Sequence, residues 1–334
     1  MKKNILLIGG AGYIGNVVAE DFLQNGYKVK IYDNFIYNNT FVKKNFDEKQ
    51  DISFISGDIN DSTKLENELV NIDYVVILAG LVGDPITKKY PNESTAINLD
   101  GIKNIFHLLN NKGVEKVIFV STCSNYGLLS SDEVADENYP LKPLSLYAEH
   151  KVQIENFIMS LKHQTDYSPT ILRFATAFGL SPRMRFDLSV NEFTYELANK
   201  KELLIYDENT WRPYCHVRDF SILIAKVLES NKNKTHFEIF NAGSDINNAT
   251  KKNIINIINK FIPDTNVNYS KNGTDPRNYR VDFSKVREVL NFEPHYLIKD
   301  GIEELIKAID ESKFTDVENN RNNYGNYLIE YDYK

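Results

Sequence analysis

The sequence predicts an α/β protein built on a doubly wound parallel sheet, and two observations predict it. Over the first 180 residues, short apolar runs rich in Val and Ile alternate with amphipathic stretches, the pattern of repeated strand–helix units. The first apolar run, Asn4–Ile8, leads directly into Gly9-Gly10-Ala11-Gly12-Tyr13-Ile14-Gly15, which opens the first amphipathic stretch. Further buried-strand candidates are Lys28–Tyr32, Ser53–Ser56, Tyr74–Ala79, Lys116–Ser121 and Thr170–Phe174. Between them, Leu99, Ile102, Ile105, Phe106 and Leu109 recur at helical spacing, as do Val152, Phe157, Ile158 and Leu161.

After residue 180 the pattern loosens. Ser181-Pro182 breaks the chain, Asp187–Asn199 reads as a helix and Leu203–Tyr206 as a short strand. Phe220–Leu228, Asn253–Ile262 and Ile302–Ile309 read as further helices. We therefore divide the chain into a sheet domain over 1–180, a smaller α/β lobe over 181–312 with some segments returning to the sheet, and a tail over 313–334. The tail holds Asn319, Asn320, Asn322 and Asn323 and lacks periodicity, so disorder is the expectation there.

A chain of 334 residues can bury a large core without disulfide or metal staples. Its 39 Lys and Arg against 46 Asp and Glu give a net charge of −7, which argues against nucleic acid or an anionic membrane as the main partner. No apolar run is long enough to span a bilayer. The Lys-Lys start followed by a short apolar run reads as a first strand rather than a leader, because Gly9-Gly10 breaks it. Only Cys123 and Cys215 are present, which fits a cytoplasmic protein. The chain has no C-x-x-C and no H-E-x-x-H, so a metal site is not expected.

Glycines at 9, 12 and 15 permit a tight turn, close backbone approach to a pyrophosphate and close packing of helix on strand. The helix that follows offers free N–H groups and a positive dipole end to that anion. Asp33 closes the second apolar run, where a carboxylate accepts both hydroxyls of an adenosine ribose and disfavours a 2′-phosphate, so NAD is the expected cofactor. Asp58 ends the third strand on the same sheet edge and is placed to reach the adenine amino group.

The chain has one Tyr-x-x-x-Lys, at Tyr147 and Lys151, after the segment Ser121-Thr122-Cys123-Ser124-Asn125-Tyr126-Gly127. Residues four apart share a helix face, so both side chains can point at one cleft. An ammonium beside a phenol favours its ionised form and lowers its pKa. Thr122 falls at the C-terminal end of its strand, where an open α/β sheet binds its ligand.

On these motifs the chain from Lys3 to about Ile309 resembles the extended short-chain dehydrogenase/reductases that act on nucleotide sugars, of which UDP-glucose 4-epimerase is the best-known member. Supporting segments are Leu78-Ala79-Gly80, Asn98, Trp211-Arg212-Pro213-Tyr214-Cys215-His216-Val217 and Asp275-Pro276-Arg277. The resemblance implies a Rossmann-like fold with Tyr147 as general acid/base, Lys151 on the nicotinamide ribose and Thr122 relaying the proton. It implies that Gly9, Gly12, Tyr13, Ile14, Gly15, Asp33, Asn34, Asp58, Ile59, Leu78, Ala79, Gly80 and Asn98 border NAD. Arg212 and Arg277 match arginines on a substrate diphosphate; Arg183 and Arg185, entering the second lobe, are further substrate candidates, and His216 orders its loop. It also implies a homodimer formed through the helices near 95–112 and 147–162.

Leu81-Val82-Gly83-Asp84-Pro85, Ser181–Asp187 and Arg212–Val217 look more like a bacterial surface-polysaccharide subgroup, close to GDP-heptose 4-dehydrogenases. Two positions narrow the chemistry further. In the family's 4,6-dehydratases an Asp and a Glu follow the catalytic Thr; here Cys123 and Ser124 stand there, neither suited to expel a hydroxyl. The expected reaction is oxidation and reduction at C4 without loss of water, by a 4-epimerase or 4-dehydrogenase. A 4-keto reductase, a 4,6-dehydratase and a non-catalytic NAD-binding scaffold are the alternatives.

Overall fold

The computed structural model describes residues 2–130, 132–273, 275 and 277–331; Pro276 and tail residues 332–334 lie outside the described residues. All six strands expected before residue 180 form: β1 (Asn4–Ile8), β2 (Lys28–Asp33), β3 (Ile52–Ser56), β4 (Tyr74–Ile77), β5 (Lys116–Thr122) and β6 (Ser168–Phe174). The chain continues through β7 (Thr176–Phe178), β8 (Leu203–Tyr206), β9 (Trp211–His216), β10 (Glu238–Ala242), β11 (Asn248–Thr250) and β12 (Val267–Ser270). A seven-stranded sheet runs in the order β10-β6-β5-β4-β1-β2-β3, with every pairing parallel. The winding reverses between β1 and β4, and a crevice opens there at the carboxyl ends of the strands.

Alternate residues of each strand feed opposite faces of this sheet. On one face Leu7, Ile31, Val76, Ile118 and Leu172 meet Val18 and Phe22 of the helix Tyr13–Gln24, and Leu223 and Ile224 of the helix Val217–Glu229. On the other, Leu6, Ile8, Val75, Val117 and Phe119 meet Ile105 and Phe106 of the helix Ile102–Leu108, and Ile154 and Ile158 of the helix Leu146–Ser160. Burial on both faces is why these strands read as continuous apolar runs.

The helix expected across Leu99–Leu109 is not uniform. Ala96–Gly101 is π-helical, and only Ile102 onward is α-helical. The wide turn carries Asn98, whose amide donates to Leu81 O at 2.9 Å and accepts from Leu81 N at 2.7 Å, pinning the turn after β4.

In the second half, β9 lies between β7 (parallel) and β11 (antiparallel), while β8 pairs with β12. The helices Ser189–Ala198, Lys251–Ile258 and Ile298–Asp310 cover these sheets around Phe178, Val190, Tyr214, Ile254 and Ile302. β10 returns to the main sheet beside β6. Of this half's strands only β8 was read from the sequence; Pro213 sits inside β9, and β11 is only Asn248–Thr250.

The disorder expected after residue 312 is not what the structure shows. Phe314 and Tyr324 pack on Phe186, Phe186 N donates to Tyr324 O at 2.7 Å, and Ile329 is buried against the main core. This polar segment needs no core of its own, because it borrows apolar surface that the folded lobes already present. Among the described residues no helix is long and apolar enough to cross a membrane.

Candidate active site

A cleft of about 620 Å³ follows the carboxyl ends of the main strands and passes into the second half of the chain. Its first wall is the glycine turn. Gly9 has φ +80°, and a Cβ there would stand 2.5 Å from Ala79 Cα; a Cβ on Gly15 would stand 2.4 Å from Gly10 O. Gly12 differs, since its nearest neighbour is Gly9 O at 3.4 Å and the space beyond is the cleft itself. Any side chain at Gly12 would occupy the place where a diphosphate meets the start of the helix Tyr13–Gln24.

Asp33 stands at the end of β2 and accepts from Ala11 N at 2.9 Å and Phe35 N at 2.8 Å, one bond to each oxygen. A carboxylate has about four acceptor positions, so about two remain for a pair of ribose hydroxyls. Burial raises the pKa of Asp33, opposed by those two N–H groups and by the charge of Arg183. These features fit NAD. Tyr13, Ile14, Asn34, Ile59, Leu78, Ala79 and Gly80 also line the cleft. Asp58 and Asn98 do not: Asp58 accepts from Asn34 Nδ2 and Asn60 N, and Asn98 is spent on Leu81.

The chemistry-bearing groups meet at the end of β5. Ser145 caps the helix Leu146–Ser160, and Tyr147 and Lys151 lie one turn apart on the face toward β5. Lys151 Nζ donates to Val120 O at 2.7 Å and sits 5.8 Å from the centre of the Tyr147 ring. Thr122 Oγ1 accepts from Ser124 N at 3.1 Å, which leaves its own proton to give. Burial raises the Tyr147 pKa, against the lowering effects of Arg185 and the neighbouring Thr122 hydroxyl. Burial also drives Lys151 down to about 7. The lowered phenol pKa expected from the lysine is therefore not present; desolvation outweighs it at both groups.

Behind Thr122 lies a buried cluster that the sequence reading missed. Glu155 accepts from Ser121 Oγ, Asn125 Nδ2 and the guanidinium of Arg173, and so fixes the strand end on both sides of the threonine. Cys123 Sγ points away, donating to Arg173 O, and burial raises its pKa, so it offers no thiolate.

Four arginines line the same cleft. Arg212 and Arg277 share Asp275: Arg212 Nη2 lies 3.0 Å from Oδ2, and Arg277 Nε lies 2.8 Å from Oδ1. Burial alone would raise Asp275, yet the hydrogen bonds of Arg277 and the charge of Arg212 hold it well below the usual carboxylate range. Arg277 also pairs with Asp84 at 3.0 Å. Arg185 forms a two-point bond with Asp187, at 3.0 and 2.6 Å. Arg183 instead bonds to residues of the C-terminal segment. His216 donates through Nε2 to Glu304 at 2.7 Å and accepts from Arg218 N, an ordering role. Asp84, Glu192, Lys251 and Asn326 also reach the cleft, and no short motif announces them.

The model of the NAD dependent epimerase/dehydratase family matches residues 5–243. The chain belongs to that family. A UDP-glucuronate 4-epimerase of Thermodesulfobacterium geofontis is 28% identical, over 91% of this chain and 98% of its own length. A UDP-N-acetyl-alpha-D-glucosaminuronate decarboxylase of Bacillus cytotoxicus is also 28% identical, over 92% and 98%. The crystal structure of UDP-glucuronic acid 4-epimerase from Bacillus cereus, in complex with UDP-glucuronic acid and NAD, superposes with a TM-score of 0.82 at 26% identity, covering 92% of this chain and 99% of that one. Family membership makes the protein an NAD-dependent enzyme.

Proposed function

We propose that the protein oxidises a nucleotide-activated sugar at C4, as a 4-epimerase or 4-dehydrogenase in surface-polysaccharide sugar biosynthesis in the cytoplasm. The observation that carries this reading is the meeting of Thr122, Tyr147 and Lys151 at the end of β5, in the cleft that the glycine turn opens. The similarity to UDP-glucuronate 4-epimerases supports it.

When bound, NAD supplies the hydride acceptor. Tyr147 takes the proton of the sugar hydroxyl, and Thr122 orients that hydroxyl while giving a hydrogen bond to the phenolate. Lys151, tied to Val120 O, holds the nicotinamide ribose. Arg212 and Arg277 hold the sugar diphosphate, with Asp275 keeping their planar forks in register. The two residues after Thr122 carry no carboxylate, which supports redox chemistry at C4 without dehydration.

Replacing Tyr147 by Phe removes the base and keeps the ring. Turnover of a nucleotide sugar is expected to fall by about 10²–10⁴. Undiminished turnover would remove Tyr147 from the reaction.

A further inference from the structure

Arg183 is 2% exposed, and all of its hydrogen-bond partners among the described residues are neutral. Nη1 donates to Asn326 Oδ1 at 2.8 Å, and Nη2 donates to Gly325 O at 2.9 Å and Asn322 O at 3.3 Å. Nε, also buried, has no partner among the described residues. A buried guanidinium is costly unless an anion faces it. Burial lowers its pKa to about 10.

Its surroundings say which anion. The guanidinium lies 4.9 Å from the centre of the Tyr37 ring, in the loop that follows Asp33. The Tyr37 hydroxyl is likewise buried, lines the cleft and has no partner among the described residues. Arg183 N reaches Ser181 Oγ, and Ser181 Oγ donates to Tyr13 O at 2.6 Å, which fastens this loop to the glycine turn. Arg212 and Arg277, by contrast, gather around Asp275 in the second lobe.

We infer that Arg183 is a clamp for the diphosphate of the dinucleotide, and that residues 322–326 of the C-terminal segment are its positioning frame. The sequence had placed Arg183 among the substrate candidates; its neighbours are those of the cofactor. Nε and the Tyr37 hydroxyl, both without partners among the described residues, donate to phosphate oxygens. The frame consists of carbonyl and amide oxygens, which aim the guanidinium without forming an ion pair with it. The inference rests on NAD binding at the glycine turn.

Calorimetry on the full chain freed of dinucleotide tests it, with NAD, ADP-ribose, adenosine, UDP and GDP as probes. Arg183→Gln is expected to weaken NAD and ADP-ribose by about tenfold or more, the worth of a hydrogen bond to a charged group, and to leave adenosine, UDP and GDP unchanged. Asn326→Asp, which keeps the side-chain shape and sets a carboxylate against Nη1, is expected to weaken the same two probes. Unchanged NAD and ADP-ribose affinity in Arg183→Gln would overturn the clamp, as would an equal loss for adenosine. Loss on UDP or GDP instead would return Arg183 to the substrate. Failure of the unaltered protein to bind NAD would strike the cofactor reading, separately from the clamp.

Discussion

Lys151 shows how a single residue here trades stability for function. Its ordinary pKa of 10.5 falls to about 7 in the fold because burial disfavours the ammonium. Between pH 7 and 10.5 the unfolded chain therefore binds a proton at this position that the native chain does not, so its native-state penalty is largest below pH 7 and fades as pH rises. Lys151→Met is expected to raise the urea midpoint of the dinucleotide-free protein at pH 7, with the advantage shrinking toward pH 10. A pH-independent difference between the two proteins would show that burial does not set the lysine's charge. The same desolvation raises Tyr147, so the resting pair is a neutral phenol beside a weakly basic amine. Sequence spacing brought the two residues to one helix face, but it carries no information about burial, and burial decides the direction of both shifts.

At the scale of elements, what was legible follows from how each segment is buried. β1 and β4–β6 are buried on both faces and announce themselves as apolar runs; the glycine turn announces itself because only glycine tolerates its contacts. β7, β11 and β12 are short and β9 carries Pro213, and all four pair outside the main sheet, so local pattern is silent about them. The cleft residues divide the same way. Thr122, Tyr147 and Lys151 carry a spacing, whereas Asn326 in the cleft wall, like Glu155 behind it, matters through contacts made across the fold. The C-terminal segment is the clearest instance. Its aromatics pack on Phe186, and its oxygens satisfy Arg183. Deleting 313–334 uncovers that apolar surface and leaves a buried guanidinium without acceptors, and the thermal midpoint is expected to fall by roughly 5 °C or more. A midpoint within about one degree of the full chain would mean that the segment is an appendage.

For the whole molecule, the sheet gathers the glycine turn, Asp33 and Thr122 at one edge, and the second lobe completes the cleft with arginines. The outer face of the helices Ile102–Leu108 and Leu146–Ser160 keeps Leu108, Phe157 and Leu161 only half-buried. We propose that a second copy of the chain covers this face. Light scattering is expected to give twice the 38.5 kDa chain mass, and replacing Phe157 by a charged residue should shift that mass toward one chain. A strict monomer for the unaltered protein would remove the proposed interface. The chemistry proposed at C4 runs through Thr122, Tyr147 and Lys151, and neither residue after Thr122 carries a carboxylate to help expel water. Mass spectrometry of the products from a panel of nucleotide sugars tests it most directly. A product of unchanged mass, or one lighter by two hydrogens, is expected; a product lighter by one water would overturn the C4 proposal.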